Sequence, residues 1–137
     1  MDSSELRRRL ADATVAVLST VSAEGKPHAV PVCFVLDGSS VYFAVDHKPK
    51  RTTDLKRLRN ISANPAVALL VEHYEHDWNR LWWIRVDGTA RVLGDGDESR
   101  RAIAMLVDRY AQYSGNEPQG PVVAVGVERM SSWSATP

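Results

Sequence analysis

The sequence predicts a mainly β domain: a closed antiparallel sheet of six strands trimmed with short helices. Three observations predict it. Runs rich in β-branched and aromatic residues recur at 14–22, 28–36, 41–45, 66–71, 81–93 and 122–127. Several of these runs are separated by short turn-forming stretches, which join antiparallel neighbours. Two other stretches, from Thr52 to Ala63 and from Glu98 to Tyr113, place apolar residues at helical spacing instead. At 137 residues the chain holds one core but not two, so residues 1–137 are read as a single domain.

The elements follow in order. Asp2 and Glu5 have the spacing of a capping box, and Leu6, Leu10 and Ala13 form a thin apolar stripe, which predicts an N-terminal helix. Thr14 to Ser22 reads as the first strand. Residues 23–27 are turn chemistry, with Gly25 free to take positive φ. His28 to Leu36 reads as a second, antiparallel strand. Pro31 within it cannot donate to a ladder, so it marks an edge, a bulge or a backbone that faces a ligand. Asp37 and Gly38 signal a hairpin into the third strand, Val41 to Val45. Asn64 and Pro65 end the helix that follows, and Ala66 to Val71 is a continuous apolar strand. The polar stretch 72–80 reads as a loop or frayed hairpin end. Leu81 to Leu93 is a long strand with Gly88 as a bulge or bend. Residues 94–97 turn into a helix from Glu98 to about Tyr113, where Ile103, Leu106, Val107 and Tyr110 share one face. Val122 to Val127 is the last strand. A six-stranded barrel has a narrow interior filled by side chains, so a sizeable ligand belongs outside it, in a crevice that a second subunit completes.

The chemistry concentrates between His47 and Asn60, where six lysines or arginines stand against one aspartate. Pro49 disfavours helix at Lys48, so the chain arrives extended. Thr52 or Thr53 can then cap a helix carrying Leu55, Leu58 and Ile61. A strand end, a basic turn and a helix start together form a candidate anion seat, in which backbone N–H groups and the positive end of the helix dipole add to the side chains. The same residues also fit a solvated basic helix.

Composition narrows the classes. Acids and bases balance at 17 each, which argues against a dedicated nucleic-acid binder. No apolar run approaches the ~18 residues of a membrane span. The lone Cys33 excludes an intramolecular disulfide framework, and the N-terminus lacks the apolar core of a signal peptide. A cytoplasmic location is the expectation.

The order of parts resembles the split β-barrel flavoproteins, the pyridoxamine 5′-phosphate oxidase-like superfamily. More narrowly, it resembles the actinobacterial branch that uses the deazaflavin coenzyme F-420. The residues that carry the resemblance are 17–20, 25–28, Pro31 and Val32, 41–43, 48–52, 58–60, Asn64 and Pro65, and 86–90. Together they span the chain from about Leu6 to Val127. The resemblance implies an FMN-binding split-barrel fold and a homodimer with two cofactor sites at its interface. It implies a phosphate grip of Lys50, Arg51 and Thr52, with Lys48 and Lys56 as outer contributors. Ring contacts would come from Val30, Pro31, Val32, Cys33 and Ala44, and the second subunit would contribute from 78–83, Trp82 included, or from Arg85. The implied activity is that of an oxidoreductase passing a hydride from reduced coenzyme F-420 to an electron-poor small molecule. An FMN-dependent oxidase or reductase, and a non-catalytic carrier of deazaflavin or haem-like ligands, are the alternatives. Residues 128–137 lack the basic segment with which pyridoxamine phosphate oxidases hold their substrate, so pyridoxamine phosphate is not the expected one.

The remaining chemical residues have plainer readings. His73 and His76 match a short metal-pair spacing, but zinc needs three or four ligands, so no metal site is expected. Cys33 has no base that the sequence places beside it and reads as a small strand residue. Trp82 and Trp83 point to opposite faces of one strand. Tyr110 and Tyr113 read as helix packing.

Overall fold

A computed structural model describes residues 1–45 and 55–137. Three helices, α1 (Ser3–Asp12), α2 (Lys56–Ala63) and α3 (Asp97–Arg109), surround seven strands. The strands are β1 (Ala16–Val21), β2 (Pro27–Val32), β3 (Val35–Asp37), β4 (Ser40–Ala44), β5 (Ala66–His73), β6 (Trp82–Val92) and β7 (Val122–Ser134). All pairings are antiparallel, in the order β2-β1-β5-β6-β7-β4-β3. The two edge strands, β2 and β3, are consecutive in the chain and joined by only Cys33 and Phe34. Val32 and Val35 therefore stand at most about 11 Å apart, and the sheet must curl until its edges nearly meet. This is the split barrel.

The expected second strand, His28 to Leu36, is thus two strands, and the count rises from six to seven. The break has a specific cause. Tyr110, at the end of α3, sends its hydroxyl to the junction: it accepts from the Phe34 N–H at 2.9 Å and lies 2.7 Å from Phe34 O and 3.0 Å from Thr14 O. Backbone groups buried in a strand break need partners, and here one side chain supplies them.

Inside the curl lies the main core, including Leu18, Phe34, Val41, Phe43, Leu69, Ile84, Val86, Val123 and Val125. Leu10 of α1 and Ile61 of α2 also reach into it. Asn60 and Thr20 are buried polar residues that satisfy each other, with Asn60 donating to Thr20 Oγ1 at 3.1 Å. A second cluster sits outside the sheet, where α3 packs Ala102 and Leu106 against Tyr42, Val122 and Ala124. Strand β4 therefore alternates, with Val41 and Phe43 facing inward and Tyr42 and Ala44 facing α3.

Local signals explain most boundaries. Asp2 caps α1 by accepting from the Glu5 N–H at 2.8 Å, while Glu5 itself turns to Arg9. Gly25 and Gly38 take φ of 83° and 59° in the two hairpin turns, as turn residues without a Cβ can. Gly88 sits at a register shift that leaves Glu128 of β7 as an extra residue. A Cβ on Gly88 would lie 2.3 Å from Gly126 O, so close approach of β7 also requires glycine there. Three expectations are corrected. The last strand runs on to Ser134 rather than ending at Val127, because β6 pairs with it along its whole length. Helix α2 starts at Lys56 with Leu55 extended, two to three residues later than a cap at Thr52 or Thr53 requires. Helix α3 begins at Asp97, capped by Gly96, and stops at Arg109, with a separate single turn over Ala111–Tyr113.

Burial pushes the Tyr110 phenol above its ordinary value, partly opposed by the Phe34 backbone bond. Its folded state prefers the neutral form, so the contribution is fully present below about pH 10 and declines as pH rises further. Tyr110→Phe should therefore cost about 1–3 kcal/mol in urea unfolding at neutral pH. The alkaline loss of stability should also shrink in the variant.

Candidate cofactor site

The sequence places its candidate residues in three stretches: around Pro31, around the basic turn, and at Trp82. Pro31, Val32 and Cys33 form the end of β2 and the start of the seam. Ala44 ends β4 and Lys56 begins α2, so these two flank the basic turn. Lys48, Lys50, Arg51 and Thr52 lie outside the described residues.

Among the described residues β2 has β1 as its only partner, in a register of Ala16 with Val32 and Val17 with Pro31. No described strand pairs with its other edge, and backbone groups on such an edge suit a planar ligand with donors and acceptors on its rim. Pro31 is exposed and tolerated on that edge because it has no N–H to waste. Val32 is buried with its side chain in the barrel core, so only its backbone can meet a ligand. Cys33 and Ala44 lean together on the α3 cluster. The structure thus brings Cys33 and Ala44 to one side of the seam and leaves Pro31 on the outer side.

The β4 end is held by a charged network. Tyr42 donates to Glu98 at 2.8 Å, and Arg91 reaches both Glu98 oxygens at 2.8 and 3.0 Å. The Arg91 bond, then that from Tyr42, holds the Glu98 carboxyl below its ordinary range, and Glu98 in turn raises Arg91. Lys56 is exposed at the head of α2. One residue on, Arg57 has its Nε buried without an acceptor. The cations at this end fit an anionic group.

Trp82 lies elsewhere. It opens β6, an 11-residue strand about 33 Å long at ~3.3 Å per residue. The other end, Val92, pairs beside Val123, near Ala44. Within one subunit Trp82 is therefore remote from Ala44. Its ring packs against the barrel core, lies 4.9 Å beneath the Arg9 guanidinium and stacks with His73 at 6.1 Å. Trp83 faces outward, paired with Trp133. Sequence reasoning missed the Tyr110 seam bond and the Tyr42–Glu98–Arg91 network. Helical spacing buried Tyr110, but nothing in a linear pattern names the partner of its hydroxyl.

Seven antiparallel strands curled around a filled core, among the described residues, define the split-barrel class of folds. The chain belongs to the pyridoxamine 5′-phosphate oxidase family, whose profile matches residues 3–134. No curated protein matches it. Among solved structures it is similar to a conserved hypothetical protein of Mycobacterium tuberculosis, with a TM-score of 0.80 and 16% identity over 98% of this chain and 86% of that one. It is similar to the heme storage protein HutZ of Vibrio cholerae, with a TM-score of 0.75 and 17% identity over 96% and 93%. It is also similar to an FAD-binding protein of Mesorhizobium loti, with a TM-score of 0.73 and 18% identity over 96% and 94%.

Glu98→Gln tests the network behind β4. A lowered carboxyl stabilises the fold above its unfolded pKa and loses that contribution as pH falls through the folded value. The wild type should melt higher than the variant at pH 7, and the gap should close on acidification below about pH 4.

Proposed function

We propose that the protein is a homodimeric oxidoreductase whose cofactor is a phosphate-bearing flavin or deazaflavin, with coenzyme F-420 the first candidate and FMN the second. The observation that carries the reading is the free edge of β2 at the seam, in a chain whose basic residues cluster at the end of β4. The edge supports a ring held by backbone groups. The basic turn, through Lys50, Arg51 and Thr52 with Lys48 and Lys56 outside them, supports the phosphate. Arg57 offers a further donor, and a tail of extra carboxylates would favour the deazaflavin over FMN.

The second copy enters through the outer sheet face. Val17 pairs with Leu70 there, and both are 38% exposed; Val15 and Trp133 add 51% and 46%. Small residues, Ser19 and Ala68, pair beside them and let another sheet approach closely. An isologous dimer across this face gives two equivalent sites. Trp83 and Arg85, which face outward on β6, are the partner residues in this arrangement, since the indole of Trp82 is engaged by Arg9 and His73.

When bound, the reduced cofactor supplies a hydride to an electron-poor acceptor such as an activated C=C bond or a quinone. The chain's own part is to hold the ring against the β2 edge, anchor the phosphate, and keep the acceptor face dry under the second subunit. No side chain is assigned as acid or base, and the proton comes from water. A carrier would share the same grip, so turnover with a quinone separates enzyme from carrier.

Two measurements test the reading. Sedimentation at micromolar concentration should show a species of twice the 15.2 kDa chain mass; a monomer alone contradicts it. Paired titrations with coenzyme F-420 and FMN should show a clear preference for one. Arg51→Ala should weaken it by about 10- to 150-fold, the equivalent of about 1.5–3 kcal/mol for a charge-assisted contact. Arg51→Lys should recover part of that loss, since a point charge replaces a planar fork. Wild-type affinity in both Arg51→Ala and Lys50→Ala would put the phosphate elsewhere.

A further inference from the structure

At the barrel end away from Ala44, α1 covers the opening but does not fill it. A cavity of about 390 Å³ remains between α1, the β5–β6 connection and the end of β7. That volume lies within the range of small-molecule sites. Its wall includes Glu5, Arg8, Arg9, His73, Arg80 and Trp82. Three guanidiniums thus meet one side-chain carboxylate on the lining, which Pro137 also joins.

The existing partners leave much of this donor capacity unused. Arg9 gives Nη2 to Glu5 at 2.8 Å, while its Nη1 is buried with no hydrogen-bond partner. The indole of Trp82 beneath the guanidinium offsets only part of that loss. Arg8 and Arg80 have single long pairs behind the wall, with Asp12 at 3.9 Å and Glu75 at 3.5 Å. A guanidinium has five N–H donors, so these contacts satisfy few of them. The floor is fixed: Trp82 is stacked by His73, and His73 is held by Glu75. Thr136 ties the β7 end to Asn79 by donating to its carbonyl at 3.1 Å.

We propose that this cavity is a binding site for a small oxyanion, a carboxylate or phosphate group of a metabolite, separate from the cofactor site. The group sits between Arg9 and Arg80 with Trp82 at its side. The exposed planar fork of Arg80, with the Arg9 guanidinium opposite it on the lining, suits a two-oxygen ligand. The site belongs to the inner, α1-covered end of the barrel, whereas the proposed dimer face is the outer surface of the sheet.

The test reads Trp82 directly. The four tryptophan indole N–H resonances of the full-length protein are assigned by single Trp→Phe substitutions. Inorganic phosphate and succinate are then titrated separately at constant ionic strength with chloride. The expected result is a saturable shift of the Trp82 resonance with at least one of them, with Trp83 and Trp133 unmoved. The tighter binder of the two names the oxyanion. Arg9→Gln and the more exposed Arg80→Gln should each raise the midpoint at least tenfold while FMN binding stays unchanged. Three results would overturn the proposal: no saturable shift with either anion, the same midpoint in Arg80→Gln as in the wild type, or loss of FMN binding in Arg80→Gln, which would make the cavity part of the cofactor site. The anion titration uses no flavin, so it stands or falls apart from the oxidoreductase reading.

Discussion

The fold depends on one buried hydroxyl. The chain must leave the sheet at Val32 and rejoin its far edge at Val35, and the two residues between them lose their ladder partners on the way. Phe34 is the critical one, because it is buried and exposes both an N–H and a C=O to an apolar interior. The hydroxyl of Tyr110 serves both groups and also touches Thr14 O at the entry to β1. A helix on the outside of the sheet thereby fixes the seam of the barrel. Beside it Arg109 donates to Asp12 O at 2.8 Å, so the end of α3 also ties down the end of α1. The seam in turn leaves β2 with one partner and one free edge, which is the feature that a bound ring can use.

Much of this architecture was legible in the sequence, and the reasons are local. Hairpins announced themselves through Gly25 and Gly38, whose positive φ few other residues adopt. The bulge at Gly88 was legible because glycine inside a strand pattern marks close backbone approach. The split of the second strand was not, since 29–36 is apolar throughout and only the distant Tyr110 breaks it. The length of β7 was hidden for a similar reason. Residues 128–134 are polar and lack a strand signature, yet β6 supplies a ladder for them out to Trp82. Of the site, the edge position of Pro31 and the opposed faces of Trp82 and Trp83 could be read. That Val32 turns into the core and Cys33 toward α3 could not, because alternation restarts at the break. The cap expected at Thr52 or Thr53 failed because Leu55 is extended, and propensity alone does not fix where a helix begins.

The chain belongs to the pyridoxamine 5′-phosphate oxidase family, and the solved structures it resembles include both an FAD-binding protein and a heme storage protein. A shared fold does not choose between such ligands; the site does. In the proposed site the choice would rest on two kinds of contact: backbone donors and acceptors along the β2 edge for a ring, and the positive charge that follows β4 in the chain for a phosphate. The Tyr42–Glu98–Arg91 network steadies the end of β4 from behind, and Tyr110, at the end of the same helix α3, holds the seam.

Amide hydrogen exchange of the protein with and without saturating cofactor tests this account most directly. Protection should concentrate at Val30 to Phe34 on the free edge and at residues 48–56 in the basic turn, with the core of β6 already slow in both states. Protection confined to other strands, with the β2 edge and the basic turn exchanging as before, would contradict it.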